Sequence, residues 1–148
     1  MEITKQTAKK LYNESPDWFK EELTKSFGKE SFDKRSFRDI KTFEDACKEL
    51  DISTAQVFGT ETKDEEAYKK LKIIIKAINQ GWIPGWNNSN QPKYWPYFNL
   101  SSGFGFSYSG YSYVGTDATV GSRLCFETRE KCEYTAKQFI DIYKEFLT

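Results

Sequence analysis

The residues best suited to chemistry lie between Trp82 and Phe98. Trp82, Trp86, Tyr94 and Trp95 offer flat faces, and Asn87, Asn88, Asn90 and Gln91 add hydrogen-bond donors and acceptors. Such mixtures bind protein partners, sugars or stacked bases, and stacking on a base contributes ~1–3 kcal/mol. Trp82, Trp86, Asn88, Asn90, Lys93, Tyr94 and Trp95 are therefore the candidate partner- or ligand-binding residues. The competing use of the same rings is to close a small core. Pro84, Pro92 and Pro96 would then hold a structured loop, and the amides would cap its turns.

Nucleic-acid binding would need cations near the rings. Lys93 and Arg123 are close in sequence, and Lys34, Arg35, Arg38 and Lys41 form a basic cluster with Phe32 and Phe37. Arg35, Arg38, Lys41, Lys93 and Arg123 are thus the phosphate candidates. Asp33 and Asp39 weaken the field of that cluster. The 22 Lys and Arg residues are balanced by 22 Asp and Glu, which argues against strong non-specific binding.

Catalysis has the least support. The chain contains no histidine, which removes His-dependent triads and His-ligated metal sites. Cys47, Cys125 and Cys132 are odd in number and form no CxxC pair, so they read as free structural thiols of a reducing cytoplasm. No Walker loop, GxSxG, EF-hand or zinc spacing occurs. No catalytic residue, cofactor or metal is expected, and the protein reads as a non-enzyme.

The chain has 148 residues, about the length of one domain. Its hydrophobic fraction is only 38%, but 12 Phe, 9 Tyr and 4 Trp make a core attainable. The first ten residues have no apolar signal region. The longest apolar run, Ile73 to Ile75, is far short of the ~20 residues of a membrane helix. Charge is unevenly placed: from 81 to 122 only Lys93 and Asp117 are charged, whereas charge-rich helical segments flank this stretch.

The elements that must position these residues follow from periodicity and caps. Residues 4–12 read as a short helix. A second starts with Ser15 as its N-cap and Pro16 at the first helical position, buries Trp18, Phe19, Leu23 and Phe27, and stops at Gly28. Residues 42–50 form a third helix, with Thr42 and Asp45 as a capping box. Residues 51–63 read as a loop and hinge. Residues 64–80 give the clearest helix, with Ala67, Leu71, Ile74, Ile75 and Ile78 on one face and Gly81 as its stop. The segment 128–147, capped by Thr128, forms a second long helix with the stripe Cys132, Ala136, Phe139, Ile140, Tyr143 and Leu147.

Strands lie between the long helices. Residues 94–100 read as one strand, with Pro96 marking an edge or bulge, and 123–126 as a short one. Phe104, Phe106 and Tyr108 alternate with small residues, as do Tyr111 and Tyr113, but the phase slips between Tyr108 and Tyr111. A two-residue turn at Ser109 and Gly110 would put all five rings on one face of a hairpin, covered most simply by 128–147. One continuous bulged strand is the alternative.

The string Gly81-Trp82-Ile83-Pro84-Gly85-Trp86-Asn87-Asn88-Ser89-Asn90-Gln91, with Lys93-Tyr94-Trp95-Pro96-Tyr97-Phe98 and Val120-Gly121-Ser122-Arg123-Leu124-Cys125-Phe126, resembles a family of small uncharacterised proteins. That family is common in gut Bacteroidales and in their phages and mobile elements. No activity attaches to it, so the resemblance implies a mobile-element setting, in the host cytoplasm or with a virion, and no catalytic residues.

The expected fold is α+β: a small antiparallel sheet, including an aromatic hairpin, packed against two long helices, with short N-terminal helices added. Residues 1–50 would form a helical segment and 64–148 the core, unless 1–148 is one domain. The expected function is a non-enzymatic interaction protein that binds a partner protein or self-associates through the aromatic, amide-rich segment. Nucleic-acid binding and glycan binding are the alternatives, and no membrane contact is expected.

Overall fold

The helical spacing expected over 64–80 is realised in the computed structural model as one sixteen-residue helix, Lys63–Ile78. The structure describes residues 3–33, 35–56, 59, 62–100, 105–117 and 121–148. Two units are formed, Met1–Ser36 and Phe37–Thr148.

The first unit is a pair of helices, α1 (Lys5–Glu14) and α2 (Asp17–Phe27). The Thr4 hydroxyl accepts from the Thr7 N–H and caps α1. Pro16, not Ser15, occupies the N-cap of α2, and the Ser15 hydroxyl donates instead to the Leu11 carbonyl. Gly28 ends α2 with φ +79°, a conformation costly for a residue with a Cβ. Ala8 and Leu23 are buried, and the Phe32 ring stacks on Tyr12 at 4.3 Å and meets Phe27 edge-on. Trp18, expected on the apolar face, is 68% exposed.

The second unit holds α3 (Phe43–Leu50), α4 (Lys63–Ile78), β1 (Lys93–Asn99), β2 (Ser107–Val114), α5 (Arg129–Gln138) and α6 (Ile140–Leu147). The Thr42–Asp45 capping box is present: the Thr42 hydroxyl accepts from the Asp45 N–H, and the Asp45 carboxylate accepts from the N–H groups of Thr42 and Lys41. Aspartate thus reaches where glutamate is the usual residue. The expected α4 stripe is buried throughout, and Phe43, Ala46 and Cys47 of α3 join it. Each buried Leu or Ile contributes roughly 1.5–3 kcal/mol. Because α3 packs on α4, the boundary between units falls after Ser36 rather than near Leu50. The expected hinge therefore lies within the second unit, where Thr54–Gln56 form a 3₁₀ turn. Residues 57, 58, 60 and 61 of that hinge lie outside the described residues.

The second long helix is interrupted. Phe139 adopts φ −111° and ψ 30°, which separates α5 from α6. No proline or glycine marks the break. One turn earlier the Thr135 hydroxyl donates to the Lys131 carbonyl, a contact that favours helix bending. The stripe of Cys132, Ala136, Phe139 and Tyr143 stays buried across the break, whereas Leu147 is exposed.

β1 and β2 pair antiparallel as a two-stranded sheet, so the fold is α+β with a small sheet. The expected turn at Ser109 and Gly110 is not formed. β2 runs straight through, and the register moves from Tyr97 opposite Gly110 to Phe98 opposite Tyr108. Ser109 is the extra residue of a bulge, and the bulge corrects the phase slip that the turn was meant to correct. Phe104 lies outside the described residues. The expected strand at 123–126 is instead a 3₁₀ turn, Ser122–Leu124, followed by a single bridge between Phe126 and Tyr94. That bridge uses both the N–H and the carbonyl of Tyr94. Alternation along the strand then directs the backbone of Pro96 to the same outer side, so its missing N–H costs no bond to β2.

Candidate functional site

Cross-strand partners share a face of the sheet, so Tyr94, Pro96, Phe98, Tyr108, Tyr111 and Tyr113 lie together. This is the face toward α5 and α6. Phe98 packs on Tyr143 at 4.7 Å and stacks on Phe106 at 5.0 Å. The Arg129 guanidinium covers Tyr111 at 4.8 Å, and the Lys137 ammonium covers Tyr108 at 5.2 Å. Both are cation–π distances. The helical segment does cover the rings as expected, but only in part: Tyr108 and Tyr111 are half-buried and Tyr113 is 63% exposed.

The opposite face begins with Lys93, and here the structure departs most from expectation. Lys93 is fully buried. Its ammonium donates to the carbonyls of Gly85 at 2.7 Å, Asn88 at 3.0 Å and Gly115 at 2.5 Å, which uses all three of its donors. The Trp86 ring lies 5.4 Å from the same nitrogen. Lys93 therefore pins the loop between α4 and β1 to the end of β2 and presents no charge to a phosphate. Gly115 must approach closely, since a Cβ there would lie 2.8 Å from the Ser89 carbonyl oxygen.

The amides of this loop serve the loop itself. The Gln91 side-chain carbonyl accepts from the Gly85 N–H at 2.6 Å, and that of Asn88 from the Asn90 N–H at 3.0 Å. Trp82, Trp86, Tyr94 and Trp95 are half-buried, and Asn88 and Asn90 are exposed. Trp86 and Asn88 are thus brought to Lys93, while Tyr94 and Trp95 point to opposite faces of β1. Nearby, buried Asn79 ties the end of α4 to the segment before α5. Its amide donates to the Cys125 carbonyl at 3.0 Å, and its side-chain carbonyl accepts from the Glu127 N–H at 3.2 Å. Sequence reading missed Asn79, whose only signal was its place just past the apolar stripe.

The described basic candidates other than Lys93 are all exposed. Arg35 belongs to the first unit and is exposed. Arg38 is exposed in a 3₁₀ turn of the second unit, with its guanidinium 4.6 Å from the Phe37 ring. Lys41 is exposed beside α3, and Arg123 is exposed before Leu124. Lys34 lies outside the described residues. The thiols are buried, and burial pushes Cys125 up to about 11 and Cys132 up to about 12. Among the described residues, no Cys, Asp and Glu cluster could hold a metal ion, and no helix is long and apolar enough to cross a membrane.

The outer edge of β2 is open. Because Tyr94 and Pro96 turn their backbones away from β2, their partners Tyr113 and Tyr111 turn theirs away from β1. Among the described residues, no further strand pairs with them. Ser107–Val114 contains neither charge nor proline. A comparison of the chain with family models, curated proteins and solved structures finds no match.

Proposed function

We propose that the larger unit is a non-enzymatic interaction module that docks an extended protein strand along β2. The open edge of β2 carries this reading. Natural sheets guard exposed edges with charge, proline, bulges or a covering element. On β1, Pro96 and the bridge to Phe126 do this. Among the described residues the only guard on β2 is the bulge at Ser109, and none pairs with the outward N–H and carbonyl groups of Tyr111 and Tyr113. Strand addition uses such groups for affinity and the alternating side chains for selectivity. The site thus moves from the amide-rich loop, whose polar groups hold the loop together, to the sheet beside it. The phage or mobile-element setting is part of the proposal and rests on the resemblance of the motif string alone. The nucleic-acid alternative has less support, because Lys93 is enclosed by carbonyls.

The test is selection of short random peptides on the full chain. Tyr113→Pro removes an outward N–H and leaves the ladder to β1 intact, and Tyr113→Ala controls for the ring. Peptides that bind wild type and Tyr113→Ala but not Tyr113→Pro support the reading. Failure to select any, or selected peptides indifferent to Tyr113→Pro, would refute it.

A further inference from the structure

We infer that the strand docked on β2 is the β2 of a second copy of this chain, paired antiparallel about a two-fold axis at Ser112. The inference rests on the edge-docking reading above. The outward-facing residues of the edge are Tyr111 and Tyr113, which flank Ser112 symmetrically. Antiparallel pairing about Ser112 sets Tyr111 opposite the partner's Tyr113 and Tyr113 opposite the partner's Tyr111. Each such pair exchanges both its N–H···O bonds, so the edge is complementary to itself without a change of backbone.

Charge permits the pairing. β2 has no ionisable acid or base other than its tyrosines, and the whole chain has a formal net charge of zero. The cation over the Tyr111 ring, Arg129, is already bonded to Glu133 at 2.9 Å. Like charges, the usual barrier to edge-to-edge association, are therefore absent from the contact. The side chains fit as well. Tyr111 and Tyr113 lie on one face, so the 63% exposed Tyr113 ring meets the partner's Tyr111 ring, a favourable cross-strand pair. On the other face the Ser112 hydroxyl meets its own copy. A two-stranded ribbon, marginal alone, becomes a four-stranded sheet with α5 of each copy on the same side.

Sedimentation equilibrium on the full chain tests this. Wild type should show a monomer–dimer equilibrium. Ser112→Lys and Ser112→Glu, each placing like charges across the axis, should each weaken dimerisation by roughly a hundred-fold, and an equimolar mixture of the two should restore a dimer. If either Ser112 variant fails to fold by circular dichroism, Tyr113→Pro supplies the same comparison. A wild-type monomer at every concentration, or a dimer that survives these variants, overturns the inference. A monomer that still selects peptides sensitive to Tyr113→Pro overturns self-pairing and leaves edge docking standing.

Discussion

Replacing Lys93 with methionine should be among the most damaging single changes in the larger unit. The side chains are similar in length and flexibility, so packing along the stem is kept while the ammonium is lost. The Gly115 carbonyl then loses its donor, while those of Gly85 and Asn88 keep the backbone N–H groups of Asn88 and Gln91 but lose the ammonium, at a position where Lys93 is fully buried. A buried acceptor left unsatisfied costs about 1–3 kcal/mol. That acceptor and the two weakened carbonyls together give roughly 2–4 kcal/mol, and part is offset because the ammonium no longer has to be desolvated. The net loss should be about 2–3 kcal/mol. Urea denaturation followed by tryptophan fluorescence measures it directly, since Trp86 lies against the ammonium. Lys93→Arg should also destabilise, because a planar fork cannot direct three donors from one point. Gly115→Ala should act on the same junction through its close approach to Ser89. A loss below about 1 kcal/mol for Lys93→Met, the value of an ordinary hydrogen bond, would refute the role of the carbonyl cage.

Other outcomes follow from single contacts. Tyr143→Phe should raise the melting temperature, because its buried hydroxyl has no partner among the described residues and deletion can recover about 1 kcal/mol while the ring keeps its packing on Phe98. Asn79→Ala should cost roughly 2–4 kcal/mol in denaturation experiments, as the Cys125 carbonyl and Glu127 N–H lose their partner. Thr42→Ala should cost about 1 kcal/mol through the lost cap of α3. The raised thiol values predict a pH effect. In the unfolded chain Cys125 and Cys132 ionise near 9, whereas in the folded protein they hold their protons to about 11 and 12. The folded state binds more protons in that window, so stability is full below pH 9 and declines as pH rises toward 12. Urea midpoints at pH 7, 9 and 10.5 measure the decline, and a serine variant at both positions should lessen it.

The legibility of this fold varied with the range of the interactions that set each element. The α4 stripe could be read because helical period places Leu71, Ile74, Ile75 and Ile78 on one face whatever packs there. The Thr42–Asp45 box and the stop at Gly28 could be read because capping acts over three or four residues. The break at Phe139 was not legible, since hydroxyl back-bonding and packing produce it without proline or glycine. Of the candidate site, the aromatic content and its shared face were visible, and the edge that the strands leave open was not.

The sequence alone determined that the rings from Phe106 to Tyr113 must share a face, and that one irregularity between Tyr108 and Tyr111 must restore their phase. Alternation along a strand has period two, so that requirement is local. Only the tertiary structure decided that a bulge at Ser109 meets it, because a turn would have folded β2 back on itself and left β1 unpaired. The tertiary structure likewise decided the role of Lys93. Its three carbonyls come from residues 8, 5 and 22 positions away, on two different loops, and meet only after β1 and β2 have paired. A cation in a neutral aromatic stretch looks like a binding group in the sequence; enclosed by backbone oxygens, it holds the fold together.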